Sequence, residues 1–145
     1  MIQQKNNLKY ITFQNLENTN AVKHCVTTRL GGVSTGIYAE LNLSFSRGEA
    51  AEKVLQNYDI LCNTLNFDKN SFVLCHQTHT TNIRVVTEQD RGMGVTKKST
   101  IKNTDGLVTN IPGIQLVVFC ADCVPILLFD PNKKAIAAIH AGWRG

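Results

Sequence analysis

The chain has 145 residues, 43% hydrophobic and 18% charged, the balance of an ordinary soluble globule. One domain of that size buries about 70% of its unfolded surface. The net charge of +4 comes from dispersed Lys and Arg, which suits a small anionic ligand and gives no argument for nucleic acid as a partner. No apolar run approaches the ~20 residues that span a bilayer, and Met1 to Lys5 is followed by no signal-type hydrophobic region, so neither membrane nor export is expected. The five cysteines (Cys25, Cys62, Cys75, Cys120 and Cys123) are odd in number and lack framework spacing. They fit reduced thiols in the cytoplasm.

Residues 1–20 are polar and Asn-rich, with Tyr10 to Phe13 expected as a short edge strand. Val22 to Thr28 alternates and is β-branched, which predicts a strand carrying His24 and Cys25. His24 reads as a strand histidine satisfied locally, and Cys25 and Cys62 as small core hydrophobes. From Arg29 to Ser44, three glycines and two hydroxyls fall within Gly31 to Gly36. Such a loop brings its backbone close to a ligand or serves as a plain turn; it has no Walker lysine. Residues 49–65 predict the one long helix. Val54, Leu55, Tyr58, Leu61, Cys62 and Leu65 recur at 3.6-residue spacing, Glu49 and Glu52 suit the first turn, and Asn63 and Asn66 help to stop it.

Phe72 to Cys75 and Asn82 to Val86 predict short strands on either side of His76-Gln-Thr-His79. A His-x-x-His at a strand end supplies one metal ligand at most, because nothing makes the two rings converge. Residues 87–104 read as a mobile, basic surface excursion, after which Asp105 to Thr109 re-enters the fold.

Three apolar strands follow: Leu116 to Phe119, Val124 to Phe129 and Ala135 to His140. Asp130-Pro-Asn-Lys133 carries turn chemistry between the last two. With an even loop, residues whose numbers sum to 265 face each other, so His140 opposes Pro125. Cys123 then shares the face of His140 as its diagonal neighbour, at about 7 Å between backbones. A one-residue slip would separate them. The hairpin is expected at the centre of a mixed, largely antiparallel sheet packed with helices. The fold class is therefore α+β, as one domain over residues 1–145, with the 49–65 helix covering the sheet.

His79, Cys123 and His140 would make a catalytic zinc set, with three protein ligands and one open position. The spacing alone also allows buried residues without metal. A redox role for Cys120-Ala-Asp-Cys123 is disfavoured, because Asp122 opposes thiolate formation and no thioredoxin-like βαβ pattern follows. A structural Cys₄ site lacks its second cysteine pair, and the nucleobase-deaminase signature lacks its His-x-Glu.

Cys75-His-Gln-Thr-His-Thr-Thr-Asn82, Thr104-Asp-Gly-Leu-Val-Thr109, Cys120-Ala-Asp-Cys-Val-Pro125 and His140-Ala-Gly-Trp-Arg-Gly145 occur in that order. With Thr28 to Gly36 and Leu41-Asn-Leu-Ser44 upstream, they resemble the YfiH-like laccase-domain family along nearly the whole chain. The resemblance implies a cytoplasmic, zinc-dependent purine nucleoside phosphorylase acting on adenosine, inosine, guanosine and methylthioadenosine with phosphate, and deaminating adenosine as well. By motif, His79, Cys123 and His140 would be the metal ligands and the catalytic residues. Gln77, Asp122 and Arg144 would orient the substrate, and Arg29, Asn42 and the Gly31–Gly36 loop would contact nucleoside or phosphate.

The family often has Asn-Arg in the helix where this chain has Asn57-Tyr58, so one basic contact is missing. Family members also run on well past the position of Gly145. An N-terminal portion of the domain is therefore expected, with a ligand close to a fraying terminus and a last strand without a protecting neighbour. Two rival readings follow. One is a copper-dependent polyphenol oxidase, for which four histidines are too few to hold several coppers. The other is an inactive metal-binding fragment that self-associates or needs a complementing C-terminal segment.

Overall fold

The computed structural model describes residues 1–143. They fall into two compact units, one over Met1–Phe67 and a second that begins at Asp68. Mixed helix and sheet bear out the α+β class, but among the described residues the strands form three sheets instead of one. Among the described residues no helix is long and apolar enough to cross a membrane.

The first unit opens with a hairpin. β1 (Ile2–Lys5) pairs antiparallel with β2 (Leu8–Ile11), Ile2 facing Ile11 and Lys5 facing Leu8. Asn6 turns the chain at φ 54, a left-handed conformation that asparagine tolerates. β3 (Val26–Thr27) pairs with the other side of β2. The segment expected as an edge strand is therefore a central one, shifted to Leu8–Ile11, and the expected strand at 22–28 shrinks to two residues. Ile2-Gln-Gln-Lys5 is too polar to announce itself, and local hairpin closure is what makes it a strand. His24 is satisfied locally: it accepts the Phe13 N–H at 2.8 Å and its ring stacks on that of Phe13.

A single turn, α1 (Gln14–Glu17), precedes the long helix α2 (Ala51–Leu65). Val54, Tyr58, Leu61 and Cys62 are buried on the predicted face. Asn66 stops the helix in the left-handed conformation, with its N–H on the Cys62 carbonyl. Glu49 lies ahead of the helix instead of in its first turn, and accepts hydrogen bonds from Ser34 (2.9 Å) and Asn42 (2.7 Å).

Two residues buried on α2, Asn57 and Thr64, are polar. Asn57 is fully buried, accepts the Val33 N–H, and donates to the Ser34 hydroxyl and the Asn42 carbonyl, each at 2.8 Å. It fastens the glycine-rich loop to the helix. Asn57→Ala would strand these buried partners, so a loss of about 2–4 kcal/mol is expected in urea unfolding. Asn63→Ala, at an exposed position of the same helix, should stay within about 0.5 kcal/mol of the parent.

In the second unit, β4 (Phe72–Leu74) pairs parallel with β7 (Gln115–Val117). A four-stranded sheet runs in the order β5 (Ile83–Val85), β6 (Gly106–Thr109), β9 (Ala135–Ala141), β8 (Val124–Asp130). Its β5–β6 pair is parallel and the others are antiparallel. The β8–β9 register places Pro125 opposite His140, as the even loop requires. Asp130 shapes that loop by accepting the Asn132 and Lys133 N–H groups. The hairpin is not the centre of its sheet, however: β9 is internal and β8 lies at the edge. Helix α2 also belongs to the first unit, where it lies against β2.

Val73, Val86, Ile101, Leu107 and Ile114 form the core of this unit, with Met93 packed against it. Residues 87–104 are thus not a loose surface excursion. Ile101 and Met93 anchor the segment, and their carbonyls accept the N–H groups of His76 and Leu74. Two apolar anchors eight residues apart in a polar stretch carry no periodicity, which hid this order in the sequence.

Candidate metal centre

Three side chains meet at one end of the four-stranded sheet. His140 is buried on β9; Cys123 precedes β8 two residues before its partner Pro125; His79 comes from the segment between β4 and β5. Their ligand atoms all lie within 4.8 Å of one another. The Cys123 sulfur is 4.0 Å from His79 Nε2, and the two imidazoles meet edge to face. A tetrahedral zinc would set neighbouring N and S ligands roughly 3.4–3.6 Å apart, so the set needs to draw in by only about 1 Å. Two imidazoles and a thiol are donors that zinc accepts readily.

What holds the set is a carboxylate. Asp105, 2% exposed, immediately precedes β6 and stays in register with β9, accepting the His140 N–H on its carbonyl at 2.8 Å. Its side chain accepts N–H bonds from Thr78 (3.1 Å), His79 (3.1 Å) and Thr80 (2.9 Å), and the Thr80 hydroxyl at 3.1 Å. It also bonds His140 Nδ1 at 2.7 Å. Burial alone would raise its pKa. The donors from Thr80, His140, Thr78 and His79 outweigh that and hold the carboxyl well below the usual range.

An ionised carboxylate only accepts, so the proton is assigned to His140 Nδ1 and the Nε2 lone pair is left for a metal. The same carboxylate accounts for His79. That residue is left-handed at φ 60, a conformation costing a non-glycine about 1 kcal/mol. Three successive N–H groups closing around one anion make a nest that over-determines the strained turn. Asp105 therefore orients both histidines. In the sequence Asp105 stands at the start of a strand and within a family motif, with no role of its own, because its meeting with His140 emerges from the β6–β9 pairing.

Gly142 is the other residue that the sequence reading missed. A Cβ there would sit 3.0 Å from His79 Cδ2, 3.8 Å from the Cys123 sulfur and 3.9 Å from His140 Cε1. Glycine leaves the His79 ring its room, while the other two donors would stand at ordinary contact distance. The clue lay in His140-Ala-Gly, but only the folded hairpin shows what the glycine faces.

Of the remaining predicted residues, Gln77, Arg29 and Asn42 have partners of their own. Gln77 donates to the Phe119 carbonyl and accepts the Phe119 N–H, both at 2.8 Å. It ties its own loop to the segment entering Cys120. Asp122 is exposed, next in sequence to Cys123. Arg29 and Asn42 lie in the first unit. Arg29 donates to the Ala39 carbonyl through Nε and Nη2, while Asn42 donates to Glu49 and the Ser44 carbonyl. In the glycine-rich loop the N–H groups of Gly31, Val33 and Ser34 are engaged by Glu40 and Asn57. Arg144 lies outside the described residues. All five cysteines are free thiols, and burial, then the neighbouring Cys123, pushes the Cys120 thiol up.

The family profile described as multi-copper polyphenol oxidoreductase laccase matches residues 23–145. The chain belongs to this laccase family. It is 36% identical over 138 residues to a purine nucleoside phosphorylase of Bacteroides thetaiotaomicron, covering 94% of this chain and 51% of the relative. It is 35% identical over 120 residues to adenosine deaminase RL5 of an unknown prokaryote, covering 82% and 46% respectively. The crystal structure of YlmD from Geobacillus stearothermophilus matches with a TM-score of 0.88 at 32% identity, over 99% of this chain and 53% of that one. The chain spans about half the length of the curated laccase-family relatives it matches.

Proposed function

We propose that His79, Cys123 and His140 bind a single zinc ion, and that this site serves phosphorolysis and deamination of purine nucleosides in the cytoplasm. The observation that carries the reading is the convergence of three zinc-type donor atoms within 4.8 Å, with His140 held by the buried Asp105. The names of the relatives, purine nucleoside phosphorylase and adenosine deaminase, support the substrate class. Bound zinc would supply Lewis acidity with one coordination position left open.

The chain's own contributions are distinct from this. Asp105 keeps the proton on His140 Nδ1, and Gln77 positions the approach to Cys120. Asp122, exposed beside the donors, would face substrate. Arg29 and Asn42 shape the glycine-rich loop that we assign to nucleoside or phosphate contact. The two units are read together as the N-terminal portion of one laccase domain, because a single family profile runs through both. In phosphorolysis a phosphate oxygen bonds to the anomeric carbon as the glycosidic bond breaks and the purine leaves with a proton. In deamination water adds to the purine ring and the amino group leaves as ammonia.

The deciding experiment measures metal content and phosphate-dependent release of adenine or hypoxanthine, for this chain and for Cys123→Ala. One zinc per chain, lost in the variant together with any turnover, is the expected result. A zinc-equilibrated chain that retains no metal would overturn the donor assignment. Zinc without turnover would remove catalysis by this half-length chain while leaving the donor set intact.

A further inference from the structure

β4 and β7 run parallel as far as Leu74 and Val117 and then part. Carried on at that register, His76 would lie beside Phe119 and the two backbones would keep pairing. Instead the chain after β4 turns to the 99–104 segment. The His76 N–H goes to the Ile101 carbonyl, the His76 carbonyl accepts the Thr104 N–H, and the Ser99 hydroxyl donates to the Leu74 carbonyl. Phe119 is left without a strand beside it, and the Gln77 side chain takes that place. Its amide oxygen accepts the Phe119 N–H and its amide nitrogen donates to the Phe119 carbonyl, both at 2.8 Å. A primary amide donates and accepts from one planar group, as a peptide unit does.

This clamp lies at the root of two donor arms. Gln77 is two residues before His79, and Phe119 is four before Cys123. Further out, the arms meet in the 4.0 Å contact between the Cys123 sulfur and His79 Nε2. Asp105 holds the turn at His79 and the ring of His140, and none of its hydrogen bonds goes to the Cys123 arm. Gln77 ties that arm in. We propose that Gln77 is the positioning residue that sets the Cys123 thiol against His79 in the metal-free chain. The inference rests on the donor set proposed above. Both clamp bonds are only partly buried, so water can replace them and the fold survives their loss. The spacing of the donors does not.

The test uses zinc and cobalt(II) as probes on the parent chain, Gln77→Met and Gln77→Asn. Methionine keeps the length and loses both hydrogen bonds; asparagine keeps the amide but is one methylene too short to reach Phe119. Chelator competition should show zinc binding weakened about tenfold in each variant. At saturating cobalt, the thiolate-to-metal charge-transfer band per bound ion should also be weaker than in the parent. Thermal unfolding of the metal-free chains should stay close to that of the parent. Parent-like affinity and band in both variants would overturn the inference. So would a loss of affinity that follows the melting temperature while the saturated band is unchanged, because Gln77 would then serve the fold alone. A parent chain that binds cobalt without a thiolate band would remove Cys123 as a donor, and with it the reading on which the inference rests.

Discussion

Asp105→Asn is expected to weaken zinc binding about 10–100-fold and to destabilise the metal-free chain by about 3–5 kcal/mol. The substitution changes almost no volume, so packing is not the cause. The carboxylate accepts four bonds from residues 78–80 and faces His140. An amide keeps one accepting oxygen and turns an NH₂ toward N–H donors that cannot receive it. Some of the nest is then left unpaired in a buried site, and the left-handed turn at His79 loses what holds it. The His140 tautomer is no longer fixed either. Isothermal titration with zinc and urea unfolding in chelator read the two effects separately.

The same variant has a signature in pH. The Asp105 pKa is depressed on folding, so its contribution is present above the ordinary carboxylate range and is lost as pH falls toward the folded value. Stability of the metal-free parent should therefore drop as pH falls below about 4, and the gap to Asp105→Asn should narrow over that window. A gap that stays constant to the lowest pH at which the chain folds would show that the charge is not what matters.

How much of this was visible in the sequence depends on how local each signal is. The β8–β9 register was readable, because Asp130 and Pro131 fix a short loop and the side-chain period of two does the rest. That arithmetic alone put Cys123 beside His140. Helix α2 announced itself by periodicity, yet its most consequential residue, Asn57, breaks that periodicity, and only the loop it fastens explains the break. His79 entered as a zinc-type donor that the motif resemblance then matched, since nothing local aims its ring. Asp105 could not be found, because its role requires β6 to pair with β9 across the intervening residues 110–134. The order in residues 87–104 rests on two isolated apolar anchors. Splitting of the strands into three sheets is likewise a tertiary outcome that short apolar runs do not encode.

Gly142→Val is expected to cost zinc affinity about 100-fold and Gly142→Ala about tenfold, with little change in melting temperature for either. The alanine Cβ meets His79 Cδ2 at 3.0 Å, tighter than ordinary contact, while Cys123 and His140 stand at van der Waals distance. Of the three, His140 is buried and tied to Asp105, and Cys123 is fixed by the start of β8. His79 is exposed, so its ring is the group that yields. A ring turned outward takes Nε2 away from the other two donors without disturbing the core, and valine turns it further. Affinity and stability thus separate, whereas a purely structural glycine would lose both together. Zinc competition against a chromophoric chelator, paired with thermal unfolding of the metal-free chain, distinguishes the cases. Unchanged zinc affinity in Gly142→Val would mean that His79 does not contribute a ligand atom, and the donor set would then have to be rebuilt around Cys123 and His140.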